Sequence, residues 1–345
     1  MISAGIVGAT GYTGVELLRF LALHNDVEVK VVTSNSERGR LVNEVFPSLR
    51  SYIDIEFVEH TSEQLYSCDV VFFATPHATA MNYVPKLLEN GCKIIDLSAD
   101  FRITNPDIWE TWYKVKHTCP EVLETAVYGL PELNREKIKN AQIIANPGCY
   151  PTAISLALIP AIKNKLINPD DIIADAKSGV SGAGRKAALA TQFSEVAESF
   201  RAYSVSGHRH LPEIVQTLGS VIPNSNVQLT FTPHLVPMNR GIFATIYVKP
   251  NDHEVDMQMH YSDYYRDEYF VDVMPMHSHP DTRSVKSSNN CRIAIHPAQN
   301  ESQPTVILSV IDNLVKGAAG QAIQNMNLMF GFEEIKALSV PGLVP

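Results

Sequence analysis

Hydrophobic and polar positions follow two different rhythms along this chain. In the first part, short and nearly continuous apolar runs (Ile2–Val7, Val27–Thr33, Val70–Ala74, Lys93–Asp96 and Ile143–Asn146) are separated by stretches with apolar residues at helical spacing, as in Val15–Leu23 and Met81–Glu89. Strands that are apolar throughout and alternate with helices predict a parallel sheet covered on both faces. After Cys149 the apolar runs lengthen and partly alternate: Val227–Thr232, Ile242–Val248, Arg292–His296 and Thr305–Ile311. Helical patterns at Thr152–Lys163, Pro212–Val221 and Val255–Arg266 lie among them, which predicts a mixed or antiparallel sheet with helices on one face. A last helical run, Leu314–Phe330, opens a C-terminal helical segment (about 314–345) expected to pack back on the first domain. The expected division is an α/β domain over 1–148 and an α+β domain over 149–313.

Length supports this division, because 345 residues exceed what one hydrophobic core commonly serves. Hydrophobic residues at 45% and charged residues at 19% are ordinary for a folded chain. A net charge of −9 argues against a nucleic-acid partner, which needs a concentrated basic face. It also gives no reason to expect an anionic membrane as partner. A small anionic substrate remains open, since the local field at a site decides that. Five cysteines without C-x-x-C spacing read as reduced thiols. The first apolar run passes straight into a glycine turn, unlike a signal peptide. The apolar stretch Ile154–Ile162 is too short to span a bilayer and contains Pro160. The expected location is cytoplasmic.

Two chemistries stand out. The segment GATGYTG (Gly8, Thr10, Gly11, Tyr12, Thr13 and Gly14 among its residues) directly follows the first strand and opens the first helix. Glycines there permit a tight turn and close approach to a pyrophosphate, which the helix N-terminus then attracts. At the end of the second strand, NAD-binding chains place an acidic residue for the ribose 2′-hydroxyl. This chain has Thr33, Ser34 and Asn35 there, with Arg38 and Arg40 beyond, a set that suits a 2′-phosphate and points to NADP.

The second chemistry is that of a thiol. NPGCYPT (Asn146–Thr152) places Cys149 in a turn between a strand and a helix, where a thiolate is stabilised. GHRHLPE (Gly207–Glu213) offers His208 and His210 just before a helix, with Glu213 able to orient one of them. A His-x-His pair also occurs in metal sites, but no third ligand is spaced to complete one, so no metal is expected. Two further loops read as anion sites: Ser178 to Arg185, rich in glycine and hydroxyls, and LSADFR (Leu97–Arg102). Arg102 could bind phosphate or form a structural ion pair, for example with Asp100.

These motifs, together with FTPHLVPMNRG (Phe231–Gly241) and DNLVKGAAGQA (Asp312–Ala322), make the chain resemble the N-acetyl-gamma-glutamyl-phosphate reductase family of arginine biosynthesis from Gly8 to about Gln324. Several motifs taken singly also resemble aspartate-semialdehyde dehydrogenases. The resemblance implies a Rossmann dinucleotide-binding domain followed by a glyceraldehyde-3-phosphate-dehydrogenase-like catalytic domain, with NADPH as cofactor. It implies Cys149 as nucleophile and His208 as base, with His210 the competitor. It further implies Arg102 and Arg209 at the substrate, and the stretches Ser178 to Gly184 (Ser178, Gly179, Ser181 and Gly182 foremost) and Asn313 to Gly317 (Asn313 foremost) at the nicotinamide. A homodimer or homotetramer is the implied assembly. The implied reaction is reduction of an acyl phosphate to an aldehyde through a cysteine thioester, with the Cys149 backbone N–H as candidate oxyanion donor. The alternatives are a related reductase acting on aspartyl phosphate or a carrier-bound aminoadipyl phosphate, and a non-catalytic NADP sensor.

Overall fold

Ile2–Val7 (β1), Val27–Thr33 (β2), Phe57–Val58 (β3), Val70–Phe73 (β4), Lys93–Asp96 (β5), Val127–Tyr128 (β6) and Ile143–Ala145 (β7) build the sheet of the first of two units in this computed structural model. The model describes residues 1–222 and 226–344. The strand order is β3-β2-β1-β4-β5-β7-β6, and every pairing is parallel. All four residues of β4 and all three of β7 are buried, which is why these runs read as apolar throughout.

This unit consists of Met1–Gly148 and Ala318–Ser339. The later segment enters through a π-helical turn, Val315–Ala319, and continues as the α-helix Gly320–Met329, all ten residues of which are buried. Its polar side chains are therefore paired. Asn325 Nδ2 donates to Gly129 O at 2.9 Å and to Asn146 Oδ1 at 3.1 Å, and Asn327 Oδ1 meets His24 Nε2 at 3.0 Å. The helix is shorter than the segment 314–345 expected from the sequence. It stops because Gly331 takes a left-handed φ of +70° and Phe332 N–H turns back to Asn327 O at 2.8 Å, a glycine-terminated helix end. Residues 330–344 are not helical, and position 345 lies outside the described residues.

The second unit comprises Cys149–Gly317 and Val340–Pro345. Its strands are Ile167–Gly179 (β8), Arg201–Ala202 (β9), Leu229–Val236 (β10), Ile242–Pro250 (β11), Val271–Val273 (β12), Cys291–His296 (β13) and Thr305–Ile311 (β14). They form a mixed sheet in the order β12-β13-β14-β11-β8-β10-β9, with β8–β10 and β12–β13 parallel and the other pairs antiparallel. Along β11, Ile242, Ala244, Ile246 and Val248 are buried while Phe243, Thr245 and Tyr247 are half-buried. One face thus packs on helices and the other stays open. Among the described residues no helix is long and apolar enough to cross a membrane.

The helix Cys149–Lys163 lies on the packed face, and residues 150–162 are all buried. Pro160 sits inside it and has no N–H, so the carbonyl of Leu156 loses its usual helical donor. The helix Met257–Tyr264 and the residue after it repair this region. Tyr265 hydroxyl donates to Leu156 O at 2.5 Å, and Tyr261 hydroxyl donates to Ala157 O at 2.6 Å. Tyr265→Phe should therefore lower stability by about 1–3 kcal/mol, the cost of a buried carbonyl left without a donor. Adding Pro160→Ala should recover part of that loss by restoring an N–H at position 160. Thermal unfolding of the single and double variants checks this coupling, and purely additive losses would contradict it.

Candidate active site

In the first unit, β1 runs into the turn at Gly8, where φ is +83°. A Cβ at Gly8 would sit 2.6 Å from Ala74 O, so both conformation and space demand glycine. The helix Tyr12–Leu21 follows, and its N-cap Gly11 supplies no side-chain cap. Its first N–H groups therefore face the loop without a capping side chain, which suits an anionic ligand. Gly14 is packed against Ala9, since a Cβ there would approach the Ala9 backbone to 2.6 Å. Thr10 Oγ1 meets Ser34 Oγ at 3.2 Å, which joins the glycine loop to the end of β2. Arg38 is exposed and pairs with Glu59 at 2.8 Å, and Arg40 pairs with Glu37 at 2.6 Å. Exposed pairs of this kind are weak, so a phosphate could compete for either guanidinium.

Arg102, expected either at a phosphate or in a structural pair, anchors main-chain carbonyls. It is 8% exposed, and it donates from Nε to Asn146 O and from Nη2 to Leu97 O, both at 2.8 Å. Asp100, weighed above as its ion-pair partner, instead accepts from the N–H groups of Ala78 at 2.6 Å and Met81 at 3.1 Å. Arg102 thus holds the backbone at the end of β7. Asn146 is fixed there as well: its N–H donates to Asp96 O at 2.8 Å and its Nδ2 to Ala318 O at 3.1 Å. From Asn146 the chain continues through Pro147 and Gly148 into the second unit.

Cys149 is the first residue of the helix Cys149–Lys163. Cys68, Cys92, Cys119 and Cys291 are buried, and Cys149 alone of the five cysteines is not. Burial pushes the Cys68 and Cys119 thiols up to about 12, which keeps them protonated and inert. Cys149 instead lies at a helix N-terminus, where the dipole favours a thiolate. Gly317 abuts it so closely that a Cβ there would come within 2.7 Å of Cys149 Cβ.

The next residue, Tyr150, is 2% exposed and gathers the imidazoles. Its ring meets His208 edge-on at 5.7 Å and His210 at 5.9 Å, and Phe231 lies 5.2 Å away. Tyr203 hydroxyl donates to Tyr150 hydroxyl at 3.1 Å, which donates to His234 O at 3.2 Å. Burial pushes the Tyr150 phenol far up and that of Tyr203 up to about 12, and the nearby charge of Cys149 acts in the same direction on both. His208 is shifted the other way, down to about 4, by burial and by the adjacent Arg209 guanidinium. Arg209 is itself exposed, at the N-cap of the helix His210–Gly219. Glu213 lies in the first turn of that helix and is 1% exposed.

The loop after β8 is tied to Asn313. Asn313 Nδ2 donates to Ser181 Oγ at 2.9 Å, and its Oδ1 accepts from Gly241 N–H at 2.7 Å. Ser178 Oγ lies 3.1 Å from where a Cβ at Gly182 would be, and Ser178 Oγ donates to Gly179 O at 3.0 Å. Within the second unit the structure therefore gathers Cys149, His208 and His210 around Tyr150, and Ser178, Gly182 and Ser181 around Asn313. Tyr150, Tyr203 and Phe231 were given no role from the sequence, and Gly317 was expected only as the end of the stretch Asn313 to Gly317 at the nicotinamide. Their part rests on ring packing and close approach, which residue spacing does not report. Among the described residues no group of three or more His, Cys, Asp or Glu is placed to hold a metal ion.

Comparison with known proteins fits this division. Residues 3–141 match the family model described as "Semialdehyde dehydrogenase, NAD binding domain", and residues 149–313 match "Semialdehyde dehydrogenase, dimerisation domain". The chain is 57% identical to the N-acetyl-gamma-glutamyl-phosphate reductase of Nitrosococcus oceani and 56% identical to that of Nitrosospira multiformis, each over 100% of both chains. It belongs to the N-acetyl-gamma-glutamyl-phosphate reductase family. Among solved structures, aspartate semialdehyde dehydrogenase II of Vibrio cholerae aligns with a TM-score of 0.74 at 17% identity, covering 96% of this chain and 98% of that one. The aspartate semialdehyde dehydrogenase of Candida albicans, solved with NADP, aligns with a TM-score of 0.70 at 16% identity over 96% and 98% of the two chains. At that identity the likeness concerns the fold: a parallel-sheet nucleotide-binding domain followed by a mixed-sheet domain. As a member of this reductase family, the chain is an oxidoreductase.

Gly317→Ala offers a direct check on the placement of Cys149. The added methyl must displace the cysteine, and a misplacement near 1 Å costs about 100-fold in rate. Steady-state kinetics should show kcat falling by that order, and a wild-type kcat would contradict the close approach.

Proposed function

We propose that the chain reduces N-acetyl-gamma-glutamyl phosphate to N-acetylglutamate semialdehyde and phosphate with NADPH, through a thioester on Cys149. The observation that carries this reading is the single unburied thiol, at a helix N-terminus and one residue before Tyr150, whose ring meets His208 and His210. The substrate itself is taken from the names of the full-length relatives.

In the first half-reaction an imidazole of the His208–His210 pair takes the Cys149 proton. The sulfur bonds to the acyl carbon, the bond from carbon to the phosphate oxygen breaks, and phosphate leaves with that proton. When bound, NADPH supplies a hydride to the thioester carbonyl. The resulting hemithioacetal collapses as its C–S bond breaks, releasing the semialdehyde and the Cys149 thiolate, which takes a proton from solvent through the same imidazole to restore the thiol. The Cys149 backbone N–H, free of an intrahelical acceptor at the helix start, would serve the oxyanion.

The uncapped turn over Gly8, Thr10, Gly11, Tyr12, Thr13 and Gly14 would hold the pyrophosphate. Ser34 and Arg38 would take the 2′-phosphate, and Ser178, Gly179, Ser181, Gly182 and Asn313 the nicotinamide end. Arg209, exposed beside the histidines, suits an anionic substrate better than the buried Arg102 does. In this reading residues 1–148 with the helix Gly320–Met329 would serve the nucleotide and residues 149–317 catalysis, in line with the division into two units. A biosynthetic reductase of this kind belongs in the cytoplasm.

Cys149→Ser should abolish nearly all turnover while leaving NADPH binding unchanged, measured by NADPH oxidation and by nucleotide fluorescence titration. Appreciable turnover in that variant would end the covalent mechanism. The open face of the mixed sheet carries Ile173, Tyr247, Val306 and Leu308 in adjacent strands, and it suits a second copy of the chain as homodimer or homotetramer. Leu308→Arg should shift the assembly towards monomer in light scattering, and an unchanged mass would exclude this face.

A further inference from the structure

Thr33 closes β2 and is wholly buried, and its hydroxyl joins two other parts of the first unit. The main-chain N–H of Gly8 donates to Thr33 Oγ1 at 3.3 Å, and Thr33 Oγ1 is hydrogen-bonded to His60 Nδ1, just past β3. Among the described residues this hydroxyl has no other partner. A main-chain N–H can only donate, so Gly8 occupies a lone pair of Thr33 Oγ1. The hydroxyl hydrogen then has one acceptor within reach, His60 Nδ1, and a buried donor without an acceptor is costly. The three groups thus form a relay with one direction, from Gly8 N–H through Thr33 O–H to a bare Nδ1. In the neutral ring the proton resides on Nε2.

The relay ends on the most constrained residue of the glycine turn, since Gly8 has a φ of +83° and no room for a Cβ. The end of β2 grips the two following residues as well. Ala9 N–H donates to Thr33 O at 3.1 Å, and Thr10 Oγ1 meets Ser34 Oγ at 3.2 Å. Of these three ties, only the one through Thr33 Oγ1 ends on a group that titrates near neutral pH. An imidazolium carries hydrogen on both nitrogens and cannot accept, so protonating His60 would aim two donors at Thr33 Oγ1 and strand its hydrogen. The ring is half-buried, and burial pushes its pKa down. The charged groups of the segments around it are Glu59 and Glu63 on its own side and Glu37, Arg38 and Arg40 on the loop after β2. Arg38 pairs with Glu59 and Arg40 with Glu37, and among the described residues no carboxylate pairs with His60.

We propose that His60 is a positioning residue for the dinucleotide: its neutral ring, acting through Thr33, fixes the Gly8 turn, so that nucleotide binding and protonation of His60 oppose each other. This rests on the placement of the pyrophosphate over that turn given above. The sign follows from linkage. A bound nucleotide favours the neutral ring, so affinity is full above the His60 titration and falls as pH drops through it. The loss levels off in acid, because one hydrogen bond is at stake, and a bond of this kind corresponds to about 3- to 10-fold in Kd. The glycine turn serves the pyrophosphate, which NAD and NADP share, so both nucleotides should lose affinity alike.

The test uses the full-length protein labelled with 15N-histidine. Without nucleotide, His60 should show a bare Nδ1 and a protonated Nε2 at about pH 8, and it should titrate below the ordinary histidine value of about 6.5. Saturation with NADP⁺ should move that titration further down. The tautomer is read without nucleotide, and so is tested apart from the placement of the pyrophosphate. Calorimetric titrations with NADP⁺ and with NAD⁺ between about pH 5 and about pH 8 should show both Kd values rising about 3- to 10-fold at the acid end. His60→Ala lacks the acceptor and should bind both nucleotides weaker by that factor throughout. His60→Asn sets Oδ1 near the place of Nδ1 and does not titrate, so it should rescue NAD⁺ binding at about pH 8 and hold it in acid. A protonated Nδ1 at about pH 8, an acid loss confined to NADP⁺, or a loss for NAD⁺ that persists in His60→Asn would overturn the proposal.

Discussion

The catalytic end of this molecule depends on the burial of one helix. Residues 150–162 lie wholly inside the second unit, so the helix Cys149–Lys163 cannot shift without opening the core around it. Its position is fixed by packing on the mixed sheet and by two tyrosine hydroxyls from a neighbouring segment, placed where Pro160 disrupts the helical ladder. A sulfur on the first residue of such a rod inherits its rigidity. The aromatic ring that follows the sulfur, Tyr150, transmits the same constraint to both imidazoles. Placement of the reacting groups is therefore mostly a result of core packing, with loop geometry contributing less.

Electrostatics follows from that packing. Two helices begin near Tyr150, one at Cys149 and one at His210, and each start carries partial positive charge from unsatisfied N–H groups. Thiolate, phosphate and alkoxide are all anions, and each gains from such an environment. The same field and the surrounding rings disfavour a cationic His208, while the buried phenols of Tyr150 and Tyr203 are kept neutral. The neighbourhood of the cysteine is thus built to carry one negative charge at a time.

Much of this was legible in the chain. The strands β1, β2, β4, β5 and β7 are short apolar runs because both faces of their sheet are covered, and the glycine turn between β1 and the first helix was readable from composition. The strand β8 was missed, since its residues Asn168, Pro169, Asp170 and Asp171 look like a loop. It is nonetheless a strand because its later part pairs with β10 and β11 on both sides. Cys149 stood out through its turn and its place before a helix. Arg102 stayed open between two readings, because a guanidinium after a strand looks the same in sequence whether it meets a ligand or main-chain carbonyls.

The helix Gly320–Met329 has a consequence for the order of synthesis. It completes the core of the first unit, with Asn325 and Asn327 satisfying buried partners at Gly129, Asn146 and His24, yet it is made only after Cys149–Gly317. The first 148 residues therefore leave the ribosome with a groove where this helix belongs, and must wait for Cys149–Gly317 to follow. Closing that gap joins residues about 180 to 300 positions apart, a slow kind of contact. An intact first unit during synthesis is therefore a signal that the chain has been made through the helix Gly320–Met329.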